Sequence, residues 1–404
     1  MLKKLLPLIV WPLLLLTLPA RPDFSAPAKN LSNSPTTDSL YPKVVREPFT
    51  GTTCVLWVEK IGGMDHLYFS RSLDEGTTWS TPQVLSGYGL ILEGVSDLAD
   101  DYAFSMVANP PYLHVVMQWR ADDTQDFEIM YRRSPDLGDT WDNWVTMTSN
   151  STDSRYPDVA ARAGYVHIVY QDSWPGNEEI LYKRISSNGA GSVDQNIRLT
   201  YSGSFSIYPR VAASKDGSVI NVVYEDGLVG QSNIYYKRLT DYGSGPYETR
   251  QLTFGTAPSE WNVLPEIATS TGPDGQYVYV VYQAGWPGNR EIMYKRLDNY
   301  GRSTGNTITA RLTYSLTESR SNSIDFDGAY NYVHISYHDD WAGNYEVMTR
   351  KLADYGGAGF TGQRVSWGAG DSSHSTIAAS GSSAFVVWSD NSTGNYEILV
   401  KKGS

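Results

Sequence analysis

A single cysteine, Cys54, stands in 404 residues, so no internal disulfide can form and burial alone must hold the fold. Cys54 lies within the apolar run TTCVLWV, where a buried, inert thiol is expected. A chain of this length can bury a core large enough to need no covalent staple. Basic charge is also scarce. Lys and Arg total 32 against 44 Asp and Glu, giving a net charge of −12 and a pI near 5.0. That balance argues against generic binding to nucleic acid or anionic membrane, while leaving room for a local arginine pocket. No sustained helical period is present, and no zinc-ligand spacing, P-loop or dinucleotide fingerprint. No cofactor is therefore expected. Asp-rich loops leave loop-bound Ca²⁺ open, although no EF-hand pattern supports it.

One long apolar run does occur, at the start. MLKKLLPLIVWPLLLLTLPA sets Lys3 and Lys4 before the run and small residues at Ala20 and Ala28 after it. This is the build of a secretory signal peptide, too short and Pro-broken for a comfortable membrane span, with cleavage expected after Ala20 or Ala28. No cysteine follows the run, so a lipoprotein anchor is not expected. The mature chain should be a secreted protein, extracellular or periplasmic, with no stable span, organised as one domain from 29 to 404.

Two strand-like series run through that domain. Apolar runs ending near an aromatic recur as VLWV, HVVMQW, HIVYQD, NVVYED, YVVYQA, HISYHD and FVVWSD. Each is trailed by a second run: LYFSR, IMYRR, ILYKR, IYYKR, IMYKR, VMTRK and ILVKK. Both series count seven, at a spacing of roughly 50 to 60 residues that suits propeller blades. A leading strand such as YPDVA at Tyr156 and a trailing one such as IRLT at Ile197 make four strands per unit. The expected fold is all-β: a seven-bladed β-propeller of four-stranded antiparallel blades. The last unit lacks its fourth strand, and Lys29-Asn30-Leu31-Ser32 fits that pattern. The N-terminal strand is therefore expected to complete the last blade and close the ring.

Between the third and fourth strands of the first two units stand Ser72-x-Asp74-x-Gly76-x-Thr78-Trp79 and Ser134-x-Asp136-x-Gly138-x-Thr140-Trp141. These resemble the Asp-box of sialidase-like BNR repeats, and later units such as QDSWPGNEEILYKR resemble a laxer secreted repeat with G-N-x-E-I. The resemblance covers all seven units, at motif strength only in the first two. It implies a propeller, and sialidases usually have six blades where this chain has seven. It also implies that the Asp-boxes are structural turns on the face opposite the ligand site.

Function is therefore expected on the other face, among the b–c and d–a loops, with strands lettered a to d outward from the axis. The b–c loops DSWPGNEE, AGWPGNRE and DDWAGNYE set Trp174, Trp286 and Trp341 at one repeated position, near Asp172 and Asp340. Together with Trp261 these could grip a glycan, an indole covering a sugar face while polar groups bond its hydroxyls. Packing against the adjoining blade is the plain alternative. The Glu series including Glu179, Glu291 and Glu346 reads as a loop-fixing acceptor. If the sialidase chemistry implied by the resemblance were present, Arg155, Arg210 and Arg320 would clamp a carboxylate, with Tyr208 and Glu260 as partners. The first leading strand, Tyr41-Pro42-Lys43, lacks the family's Arg. The leading expectation is thus a non-catalytic module binding a glycan or an extracellular protein. The alternatives are an exo-glycosidase and a structural surface module.

Overall fold

The computed structural model describes residues 24–86, 102–121, 125–174, 176–228, 231–255, 261–270, 276–286, 289–302, 305–381 and 383–403. Most of the N-terminal apolar segment, Glu260 and the acidic stretch 87–101 lie outside them, as do the side chain of Trp286 and the turn at 273–275. Seven four-stranded antiparallel sheets stand around an axis, each running a to d outward. In blade 3 these strands are Ser154–Arg162, Tyr165–Asp172, Glu179–Ile185 and Val193–Arg198. Strand b is sandwiched between sheets and buried on both sides, which is why it reads as a continuous apolar run. No helix among the described residues is long and apolar enough to cross a membrane.

The ring closes through the N-terminus. Lys29–Asn30 pairs antiparallel with strand c of blade 7, Glu397–Gly403, as its fourth strand. The Leu31 amide continues the ladder to the Ile398 carbonyl at 2.8 Å. Glu397 accepts from the Ser34 amide at 3.0 Å and from the Ser32 hydroxyl, and the Asn395 amide donates to the Ser34 and Thr37 carbonyls.

Neighbouring blades are keyed at two heights. On the c–d face each turn glycine rests on an aromatic of the preceding blade: Gly76 on Phe385, Gly138 on Phe69, Gly189 on Tyr131, Gly243 on Tyr182, Gly301 on Tyr236 and Gly356 on Tyr294. All six have φ between +69° and +92°, so both the backbone and the close approach call for glycine. The Asp-boxes build two of these turns. The Asp74 carboxylate accepts from the Thr78 amide and hydroxyl at 2.8 and 2.7 Å, and the Gly76 amide donates to the Ser72 hydroxyl at 2.7 Å. The Thr78 bonds hold Asp74 down at about 2. Asp136 and Ser134 repeat the arrangement, and Trp141 packs edge-on against Phe69 of the blade before.

Nearer the opposite face, strand a carries a bulge in six blades. The bulged residues Tyr41, Tyr156, Tyr208, Leu264, Ser321 and His374 have φ between 44° and 56°. A bulged amide leaves the ladder and needs another acceptor. Strand b of the preceding blade supplies it: Gln118 for Tyr156, Gln171 for Tyr208, Glu225 for Leu264 and His338 for His374.

Glu225 is the carboxyl among these acceptors, and burial pushes it up to about 8. Burial likewise raises Asp325 to about 7 and holds His114, His167 and His334 near 3. These histidines charge on unfolding between about pH 3 and 6.5, so stability rises with pH across that window. Asp325 and Glu225 hold protons that the unfolded chain gives up above about pH 4, so each costs roughly 1.4 kcal/mol per pH unit until its folded pKa is reached. His338 is likewise driven well below its usual range by burial, so four imidazoles outweigh Asp325 and Glu225 below 6.5, and from 6.5 to 8 the two carboxyls act without them. Melting temperature should therefore peak near pH 6.5 and fall towards 8. Glu225→Gln, which keeps the acceptor used by the other blades, should flatten that fall. An unchanged slope from 6.5 to 8 in the variant would reject the assignment. Lys237, lowered to about 8 by burial, acts only above this window.

Candidate functional site

The b–c loops are held by their most repeated residues. Asp172 is fully buried and accepts from the Trp174 amide, the Ser154 and Thr152 hydroxyls and the Asn150 amide, so both oxygens are engaged. Asp339 does the same for the Trp341 amide and the Ser319 hydroxyl. The strand register pairs Asp172 with Glu179 and Asp339 with Glu346, so Asp339 is the counterpart of Asp172. Asp340 is instead bonded to the Glu318 amide of the d–a loop at 2.9 Å. Asp226, also in this series, holds the Ser202, Ser204 and Ser206 hydroxyls.

The Asn and Glu of G-N-x-E are equally committed. The Asn177 side chain donates to the Ser202 and Ser204 carbonyls, and that of Asn344 to Gly368 and Gly370. Glu179, Glu291 and Glu346 are buried against Arg198, Arg311 and Arg364 of strand d. They fix loops. None is free to meet a ligand.

What varies is the x residue. Its carbonyl accepts an amide at the start of the next blade's strand a: Phe127 from Ser154, Glu178 from Ser206, Ser232 from Asn262, Tyr345 from Ser372 and Tyr396 from Ser39. This repeated bond sets Phe127, Glu178, Ser232, Tyr345 and Tyr396 in equivalent places around the mouth of the ring, and Arg290 holds the corresponding position in the AGWPGNRE loop. Scaffold letters hold the loops there, and this letter changes from blade to blade among aromatic, acidic, basic and hydroxyl side chains. A search for repeated residues passes over that letter.

Glu178 stands out in this set. It is half-buried, and burial raises its carboxyl above the usual range; Arg155 pulls it back down, while Asp153 and Asp172 push it further up. Asp153 lies beside it as an anchored carboxylate, accepting from Arg155 at 2.7 Å and from the Phe127 amide at 2.9 Å. Arg155 also stacks 4.3 Å above the Phe127 ring. Trp174, on the same loop as Glu178, is 64% exposed. Raised and anchored carboxyls side by side are the environment that separates an acid from its conjugate partner.

The three arginines suggested by the sialidase resemblance are each tied to their own carboxylate. Arg155 pairs with Asp153 on blade 3 and Arg320 with Glu318 on blade 6. Arg210 lies deeper on the axis, bonded to Glu266 at 2.9 Å and stacked 3.5 Å from the Tyr102 ring. Tyr208 packs against Tyr156 and Tyr102 with ring centroids 4.9 and 5.7 Å apart, closing the axis together with Leu264. Burial raises its hydroxyl pKa, and Glu225 and Glu178 add to the rise. Trp261 lies under Arg290, its ring filling the space beside Gly285. Trp341 is 54% exposed, with Arg364 5.5 Å from its ring. Trp286 ends strand b of blade 5, paired with Asn289.

A second set of aromatics follows the trailing strands. Tyr201, Phe254, Tyr314 and Trp367 come directly after Leu-Thr or Val-Ser, and each is 71–72% exposed. Arg198, Arg311 and Arg364 stack on Tyr201, Tyr314 and Trp367 at 4.0 to 4.7 Å. The signal was in the strings RLTY, QLTF, RLTY and RVSW. Among the described residues no group of three or more His, Cys, Asp or Glu is placed to hold a metal ion.

No family model and no curated protein matches the chain. Solved structures share its fold. An α-L-arabinanase of Penicillium chrysogenum complexed with arabinobiose is 16% identical over 81% of this chain and 97% of its own, with a TM-score of 0.50. The GH93 α-L-arabinofuranosidase of Fusarium graminearum with arabinobiose is 11% identical over 94% and 98%, with a TM-score of 0.51. An intramolecular trans-sialidase of Ruminococcus gnavus with oseltamivir carboxylate is 11% identical over 77% and 92%, at 0.50. At these identities the likeness establishes the propeller and nothing finer.

Proposed function

We propose that this protein is an exported exo-acting glycoside hydrolase that takes the end of a neutral glycan at the mouth formed by the b–c and d–a loops. The observation that carries the reading is Glu178, a half-buried carboxyl raised by burial beside the anchored Asp153 carboxylate. Glu178 serves as the general acid, delivering its proton to the leaving glycosidic oxygen as that bond breaks, and Asp153, held by Arg155, is the second carboxyl, taking a proton from the water that adds to the anomeric carbon. Trp174 supplies the flat apolar surface for a sugar ring. A neutral sugar is preferred to sialic acid because Arg155, Arg210 and Arg320 are each neutralised within the protein. Arabinobiose bound to two fold relatives makes an arabinofuranosyl end the first substrate to try.

The test is release of 4-nitrophenol from aryl α-L-arabinofuranoside, β-galactoside and β-glucoside, with sialyllactose as the charged comparison. Turnover of an unactivated neutral substrate, arabinobiose, should fall at least a hundredfold in Glu178→Gln, the ordinary contribution of a general acid, while the 4-nitrophenyl glycosides, whose leaving group needs little protonation, should lose much less. Trp174→Ala should mainly raise KM. Arabinobiose turnover untouched by Glu178→Gln would sink the assignment.

The exposed rim of Tyr201, Phe254, Tyr314 and Trp367 favours a second reading, glycan binding without hydrolysis. It would be selected by arabinobiose binding in calorimetry that depends on Trp174 while no substrate on the panel is cleaved.

A further inference from the structure

Below the tyrosine closure a cavity of about 670 Å³ runs along the axis to the a–b turns, where Phe49, Lys215, Ala329 and Gly381 line it. Its size falls within the ~300–1,000 Å³ of small-molecule sites. Its wall has two unlike halves, set by the residues at and after each bulge.

Blades 1, 3, 4 and 5 carry Tyr-Pro or Leu-Pro at the bulge, followed by Lys43, Asp158, Arg210 and Glu266. Polar groups on this side are matched within the protein. Arg210 pairs with Glu266, and Asp158 accepts from the Ser105 hydroxyl at 2.5 Å and the Val211 amide at 2.7 Å. Blades 6 and 7 carry Ser321-Asn322 and His374-Ser375 instead, followed by Ser323 and Thr376.

Buried atoms on the side of blades 5 to 7 lack partners among the described residues: the Asn322 carbonyl oxygen, the Ser375 and Thr376 hydroxyls, and both amide atoms of Gln283. All four residues are buried and line the cavity. Gln283 sits where Gln118 and Gln171 cap the next blade's bulge, yet its side chain holds none of the described residues. A buried amide or hydroxyl left without a partner is destabilising, and four such residues on one wall are a large cost for a scaffold to carry idle.

We propose that this axial cavity is a second binding site for a small neutral polyol, a free monosaccharide or sugar alcohol, gripped by Gln283, Asn322, Ser375 and Thr376. Amides and hydroxyls both donate and accept, which is the pattern a ring of sugar hydroxyls requires. Charge argues for neutrality: Lys43, Arg46, Arg162, Arg210 and Lys215 line the cavity against Asp158, Glu266, Asp325 and Asp327, so neither sign prevails, and Arg210 is spent on Glu266 and Arg46 on Glu75. Val45, Phe104 and Met106 offer apolar surface to the C–H side of such a ligand. Among the described residues, Tyr102, Tyr156, Tyr208 and Leu264 pack together between the cavity and the mouth, with Tyr102 and Leu264 forming its end wall.

Titration calorimetry and saturation-transfer NMR with L-arabinose, D-galactose and sorbitol test this on the full mature chain. At least one probe should bind with one-to-one stoichiometry. Ser375→Ala with Thr376→Val should weaken it at least tenfold while leaving the melting temperature unchanged or higher, since orphaned hydroxyls are being removed. Ala329→Trp, an exposed entrance position outside the core, should weaken it as well. Binding should persist in Glu178→Gln and Trp174→Ala, which keeps this outcome separate from that of the mouth. Failure of all three probes, or binding lost with Trp174→Ala but untouched by the cavity variants, would overturn the proposal.

Discussion

Deleting residues 24–34 is expected to lower the melting temperature by about 10 °C, and adding a peptide of residues 24–38 should restore much of it. The deletion removes the fourth strand of blade 7 and two buried side chains, Phe24 and Leu31. It also strips Glu397 of the Ser34 amide and Ser32 hydroxyl that solvate it in the interior. Two buried apolar side chains at ~2 kcal/mol each and a buried carboxylate at ~4 come to about 8 kcal/mol. Unfolding entropy near 2.1 cal/mol/K per residue converts that to roughly 10 °C for a domain of this length. A truncated chain that melts within 2 °C of the full one would mean that closure is not what holds the ring.

Gly189→Ala is expected to destabilise by about 3–5 kcal/mol, several times more than Gly164→Ala in the same blade. Both glycines sit in the left-handed region, at φ +81° and +85°. A Cβ at Gly164 meets nothing within 4 Å, so that variant bears only backbone strain, about 1 kcal/mol. A Cβ at Gly189 would stand 1.8 Å from the Tyr131 hydroxyl oxygen, which is itself bonded to His114 at 2.8 Å. Moving that ring breaks a buried pair and disturbs the contact between blades 2 and 3. Denaturant titration of the two variants isolates the clash from the strain. Equal losses would show that the turn glycine is kept for its backbone alone.

Much of the ring was legible in the sequence because its determinants repeat. The apolar b strands, the Asp-box glycines and the spare Lys29–Asn30 strand are all visible as period and remainder. The site was less legible because the same habit of reading favours repeated letters, and those proved to be scaffold. Asp172 looked available to a sugar, but its two oxygens are consumed by its own loop and by Ser154 of strand a. Asp340 looked like its counterpart; only the strand register shows that Asp339 holds that place. Glu178 differs from Glu179 by one position in the pleat, and that position sends one carboxyl to the mouth and the other into the blade. The orphaned wall at Asn322 and Ser375 was also in plain view, as two blades without the Pro that marks four others. Its meaning required knowing that a cavity lies beside it.

The x letter of G-N-x-E has one more consequence, for how such a protein can change. Its backbone bonds recur from blade to blade whether the side chain is Phe127, Glu178, Ser232, Tyr345 or Tyr396. Acid, hydroxyl and aromatic occupants are thus all compatible with the same loop, and the fold is indifferent to which blade carries which. Selection can therefore rewrite the chemistry of the mouth one residue at a time, without first purchasing stability elsewhere. A library randomised at these five positions should remain largely folded while its ligand preferences diverge.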